Sequence, residues 1–175
     1  KDYGYETLTR HFGTKSLKGF GIEEMHSAII AGGAIMHYIS ETQHSNIKHI
    51  ASISRIDEEK YVWLDSFTIR NLEILNPANH DGSSLLSVID HTLTPMGARM
   101  LKKWMVLPLK EIKLIENRLS VVSFFTTNPE ISKSISENIR QMGDLERLVS
   151  KIAIARVSPR ELIHLKKALF LIKSI

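Results

Sequence analysis

Three hydroxyl– or amide–proline pairs, Thr94–Pro95, Asn128–Pro129 and Ser158–Pro159, limit what the second half of this chain can fold into more than any other feature. A side-chain oxygen placed just before a proline is the grammar of a helix start. The oxygen accepts from an orphan backbone N–H, and proline's missing donor and fixed φ suit the first helical position. Pro108 does the reverse, because the residue before a proline is pushed out of the helical region. With Gly143 as a further break, this punctuation predicts helices over Pro95–Val106, Lys110–Phe125, Pro129–Met142, Asp144–Ala155 and Pro159–Ile175. Ser158 and Glu161 make a capping box, and Asp144 is a further N-cap candidate. The connections are short, which implies antiparallel or steeply crossed neighbours. Ile112, Ile115, Leu119, Val122, Ile131, Ile135, Ile139, Leu145, Leu148, Val149 and Ile152 are the predicted core of this half.

The first half reads differently. Residues Tyr5–Phe12 suggest a short helix, Gly13–Gly21 a loop, and Ile22–Gln43 a longer helix with Ile22, Met25, Ile29, Ala31, Ile35, Met36 and Ile39 on its apolar face. Glu23 and Glu24 then sit in its first turn, where the helix dipole favours carboxylates. Gly32–Gly33 in the middle costs ~1 kcal/mol per glycine against alanine, so these positions predict close backbone approach by a neighbour. His49–Ile56 and Tyr61–Asp65 are rich in β-branched and aromatic residues and flank the polar run Asp57–Lys60, which predicts a β-hairpin that must pack on something to persist. The expected architecture is mainly α: a multi-helix orthogonal bundle with a small β-hairpin near the N-terminal third.

Composition narrows the chemistry. The chain has no cysteine, so disulfides, thiolate metal sites and thiol nucleophiles are excluded, which fits a reducing cytoplasm. No apolar run approaches the ~20 residues of a membrane span, so no membrane partner is expected. The net charge of +4 comes from lysines and arginines spread along the chain rather than from a basic tail. The chain opens on Lys1, and its last helix reaches Ile175 on an apolar periodic pattern without a stop signal, so it reads as a piece of a longer protein.

Few residues suggest a reaction. Neither Gly19–Met25 nor Gly32–Tyr38 carries the lysine and hydroxyl of a phosphate-binding loop, so no nucleotide site is expected in this chain. His37, His44 and His49 lack the converging spacing of a zinc site, and no metal ligands are assigned. Asp90, His91 and Thr92, followed by Thr94, could be imagined as a catalytic set. However, triad members normally come from separate segments, and local backbone bonding with Thr94 as a cap is the favoured account. No catalytic residue is therefore assigned. Arg99, Lys102 and Lys103 on the helix after Pro95 are candidates for contact with DNA phosphates, set against an amphipathic helix that solvates its cations and buries Met100, Leu101 and Trp104. Gly97 is a possible close-packing point on that helix. Residues Gly143–Leu148 followed by Ser158–Leu165 also suggest a helix–turn–helix, with Arg160 at the start of its second helix, although such pairs are mostly packing units.

Several segments, taken in order, resemble one family: the MutS proteins of DNA mismatch repair. Leu17–Ile50 is similar to the end of that family's connector domain, and Leu64–Leu75 to the entry of its core, or lever, domain. Ser84–Leu109, "SLLSVIDHTLTPMGARMLKKWMVLPL", is the most specific block, followed by Ile115–Phe125, Gly143–Ala153 and Ser158–Leu162. The resemblance implies two pieces, residues 1–64 from the connector (helix plus hairpin) and residues 65–175 from the helical core. The connector-like part points to the mismatch-recognising branch. It also implies a full-length homodimeric ATPase of the bacterial cytoplasm that binds mismatched duplex DNA and recruits downstream repair factors. In that family ATP and Mg bind outside the matched segment, which couples the ATPase to the DNA clamp. The segment itself is then no enzyme and holds no cofactor.

Overall fold

The computed structural model describes residues 2–42, 47–56, 58–173 and 175. It is mainly helical, as the punctuation predicts, and divides into two compact units: Lys1–Ile56 with Arg147–Ser158, and Asp57–Glu146 with Pro159–Ile175.

In the first unit, α1 (Asp2–Phe12) packs along α2 (His26–Glu41). Leu8, Leu17, Ile22, Ile29 and Met36 form the core, with Phe12, Phe20, Ile50 and Ile53 against it. Two glycines let the helix backbones meet: a Cβ on Gly33 would overlap the Cα of Gly4, and a Cβ on Gly4 would lie 2.8 Å from the carbonyl oxygen of Ile29. The predicted close approach at Gly32–Gly33 is therefore present. The helix start differs from expectation. α2 begins at His26 rather than Ile22, because Glu23 is used to pin the preceding loop. Its carboxylate accepts from Leu17 N at 2.8 Å and from the Tyr5 hydroxyl at 3.0 Å. Ile22 is buried in that loop, while Ala31 and Ile35 of the predicted apolar face are exposed.

No hairpin forms among the described residues. The segment before Asp57 is drawn to the first unit instead: Ile50 and Ile53 pack on the core, and His11 Nε2 donates to the Ile50 carbonyl at 2.8 Å. In the second unit Tyr61 pairs with Leu109 in a single antiparallel bridge, flanked by Val62 N to Pro108 O at 2.8 Å and Lys110 N to Lys60 O at 2.9 Å. Pro108 ends a helix and leaves an extended edge beside Tyr61. That non-local edge, invisible to the alternation of residues 49–65, takes the hydrogen bonds a hairpin needs.

The second unit opens with two short helices, α3 (Ser66–Asn71) and α4 (Leu85–Ile89), capped by Asp65 and Ser84. α5 (Pro95–Val106) is capped by Thr94, whose hydroxyl accepts from Gly97 N at 3.1 Å. α6 (Ile112–Thr127) and α7 (Pro129–Met142) follow, and α7 packs on both α6 and α9 (Pro159–Lys173). Asn128 does not cap α7 with its side chain. Its amide donates back to the Phe124 carbonyl at 2.8 Å and so closes α6. α8 (Leu145–Ala153), whose residues from Arg147 onward are counted with the first unit, ends two residues earlier than predicted, at a turn where Ala155 adopts a positive φ of 55°.

Much of the predicted core of this half is not buried. Ile112, Ile115, Leu119, Val122, Ile131 and Val149 are exposed, with Ile112 at 71%, whereas Ile135, Ile139, Leu145, Leu148 and Ile152 are half-buried. α6 turns Leu114, Arg118 and Phe125 inward and carries its apolar stripe outward. Periodicity locates a stripe, but it does not say which stripe meets a neighbour. Removing the Thr94 hydroxyl should test the punctuation directly. Thr94→Ala orphans a helical N–H at a position only 8% exposed, and should cost about 1 kcal/mol of stability. Thermal unfolding of this unit is the readout, and an unchanged midpoint would refute the cap's contribution.

Candidate functional site

Residues 89–109 bring most of the polar candidates together. Asp90 is bonded to its near neighbour Thr92. Its Oδ1 accepts from Thr92 N at 3.0 Å and from the Thr92 hydroxyl at 2.7 Å. Those two bonds favour the ionised carboxylate and hold its pKa below the usual range. Thr94 is occupied as the α5 cap, and the loop folds tightly enough that a Cβ on Gly97 would lie 3.3 Å from Thr92 Cβ. The set is therefore an ordered helix entry, with Gly97 at a close contact.

α5 carries a different constellation. The Arg99 guanidinium forks onto two carboxylates from the start of α8: Nη1 and Nη2 donate to Asp144 at 2.9 and 2.7 Å, while Nε and Nη2 donate to Glu146 at 3.0 and 2.6 Å. Asp144, then Glu146, hold its pKa above the already high arginine value. One turn on, the Arg118 guanidinium of α6 lies 3.7 Å above the Trp104 ring, a cation–π stack. Tyr61, Met100, Lys103, Trp104, Arg118 and Glu146 line an open cleft of about 330 Å³.

The burial of this helix differs from the predicted one. Met100 and Trp104 are 54% and 42% exposed, and only Leu101 of the three is half-buried. The inner face is made by Met96, Gly97, Leu101 and Met105 instead, one helical step around from the stripe chosen on sequence. Of the three proposed phosphate contacts, Arg99 is engaged by two carboxylates, and Lys102 and Lys103 are exposed. Asp144, Glu146 and Arg118 were not assigned to this site from sequence. Their only signal was an acid two residues from another after Gly143, and a separation of 45 to 47 residues from Arg99 hides the pairing.

The histidines lie apart from this cluster. His37 Nδ1 shares a 2.9 Å hydrogen bond with the Tyr3 hydroxyl, His44 lies outside the described residues, and His49 is exposed. Among the described residues no three His, Asp or Glu side chains are grouped to hold a metal ion, and no helix is long and apolar enough to cross a membrane.

Comparison with known proteins covers nearly the whole chain. A family model described as MutS domain II matches residues 1–51, and one described as MutS domain III matches residues 67–175. A DNA mismatch repair protein MutS of Flavobacterium psychrophilum is 56% identical over 169 residues, 97% of this chain and 20% of that protein. Proteins of the same name from Cytophaga hutchinsonii and Bacteroides thetaiotaomicron are 52% and 54% identical over 96% and 97% of the chain. The chain spans about a fifth of the length of these curated relatives.

Proposed function

Because this chain belongs to the MutS family of DNA mismatch-repair proteins, we propose that it is a mechanical segment of a mismatch-recognising ATPase, coupling an ATPase domain to the elements that hold DNA. The observation that carries this reading is the order of the two matches, domain II and then domain III, in one chain. Helices with short connections suit the role, since coupling needs stiff elements with discrete arrangements. On this reading ATP and Mg bind outside the segment, and mismatched DNA, downstream repair factors and a second copy are partners of the longer protein. The segment holds no catalytic residue of its own, and its cytoplasmic location follows from that role.

A graft tests the proposal. The chain replaces the matching segment of the Flavobacterium psychrophilum protein, and the chimera is expected to restore a low mutation rate in a strain lacking its own copy. A flexible Gly–Ser insertion after Thr127, between α6 and α7, should keep mismatch binding and ATP turnover but disconnect them, so that mismatched DNA no longer alters turnover. Turnover that still responds to a mismatch across that insertion would overturn the coupling role.

A second reading has α5 touch DNA phosphates directly. Exposed Lys102 and Lys103 support it, while Arg99 is engaged elsewhere. Two lysines limit the salt dependence of such binding to a slope of about −2.

A further inference from the structure

We propose that Arg99 is a positioning residue: its fork onto Asp144 and Glu146 latches α5 to the first turn of α8, and this latch, resting on the coupling role proposed above, keeps the helical body stiff enough to transmit. α7 packs along α6 and α9, whereas among the described residues α5 shares no comparably broad helix seam. Its outer residues Met100 and Trp104 are exposed. Besides its half-buried inner face, α5 is tied by directed side-chain links: the Arg99 fork to α8 and the Arg118 stack over Trp104 to α6.

The turn that the fork spans needs such a tie. Gly143, between α7 and α8, has φ 69° and ψ −148°, a conformation essentially restricted to glycine and without a side chain to brace it. Asp144 and Glu146 follow immediately, so a guanidinium that grips both fixes where the first turn of α8 stands. Exposed single ion pairs contribute little, but a planar fork gripping two carboxylates is the geometry in which such pairs matter. With Arg99 half exposed and Glu146 largely exposed, the latch is also open to screening by salt.

Amide hydrogen exchange, resolved by peptide in the grafted Flavobacterium psychrophilum protein, provides the test. Arg99→Gln should raise exchange across residues 95–106 and 144–148 by roughly fivefold, the scale expected of charge-assisted bonds discounted for exposure. Asp144→Asn with Glu146→Gln should give the same pattern without altering α5, which separates lost latching from a misfolded helix. Raising salt to 1 M, where the Debye length falls to ~3 Å, should raise exchange there in the parent and add nothing in Arg99→Gln. A purely packing role for Arg99 would not remove that salt response. Unchanged exchange in both variants overturns the latch. Raised exchange with an intact low mutation rate overturns its part in coupling. Failure of the coupling role itself appears elsewhere, as mismatch-responsive turnover in the Gly–Ser insertion.

Discussion

Gly33→Ala should destabilise the first unit by about 3 kcal/mol, although the same change in an ordinary helix interior is stabilising by ~1 kcal/mol. The added Cβ has nowhere to go. It would overlap Gly4 Cα and lie 3.1 Å from the Gly4 carbonyl oxygen, and both are backbone atoms of α1 that cannot rotate aside. Relief requires α1 and α2 to separate, which opens the contacts of Leu8, Ile29 and Met36 in the core behind them. Because interiors are packed as densely as crystals, that separation is not absorbed locally. Chemical denaturation followed by circular dichroism is the measurement, with Gly32→Ala beside it as the control. At Gly32 a Cβ meets only the tips of flexible side chains, Leu8 Cδ1 at 3.3 Å and Ile53 Cδ1 at 3.6 Å. That variant should stay within about 1 kcal/mol of the parent, the scale of the helix-propensity gain. Equal effects at the two positions would show that helix propensity, not the meeting of two backbones, governs this pair.

These neighbouring glycines mark how far the chain could be read from its residues. That two glycines in a helix predict a close neighbour follows from local cost. Which one faces the partner depends on how α1 is rotated against α2, and the α2 sequence holds no information on that rotation. The same division runs through the rest of the molecule. Thr94–Pro95 and Pro108 set the limits of α5 because capping and φ restriction act within four residues, and Pro129 starts α7 although Asn128 gives it no side-chain cap. The hairpin failed because Tyr61 found its partner at Leu109, 48 positions along the chain, and strand propensity is silent on such choices. Core assignment failed for Leu119 and Val122 because α6 has apolar residues on more than one side, so periodicity alone selects no face. At the site, the residues offered Arg99 only as a candidate for DNA phosphates, beside Lys102 and Lys103. Its carboxylate partners were not legible there, since charge composition does not reveal that Asp144 and Glu146 stand within about 3 Å of it.

Leu8→Ala should cost about 3 kcal/mol, the middle of the range for removing a fully buried leucine. Leu8 is 1% exposed and lies between α1 and the Gly32 side of α2, so its loss leaves a cavity that α2 cannot close while Gly33 is already against Gly4. The cavity and Gly32 are then coupled. In the parent, the methyl introduced by Gly32→Ala crowds Leu8 Cδ1, and moving that side chain offsets part of the helix-propensity gain. In Leu8→Ala the obstructing methyl is gone, and the Cβ introduced by Gly32→Ala projects into the space it left. Gly32→Ala should therefore stabilise Leu8→Ala by more than it changes the parent, with a coupling energy of about 1 kcal/mol in a double-mutant cycle. The sign decides between two accounts of this interface. Additive effects would mean that Leu8 and Gly32 are not in contact, whereas a favourable coupling places the leucine over the glycine and explains why α2 keeps both small residues: Gly33 for the backbone of α1, and Gly32 for the side chain beside it.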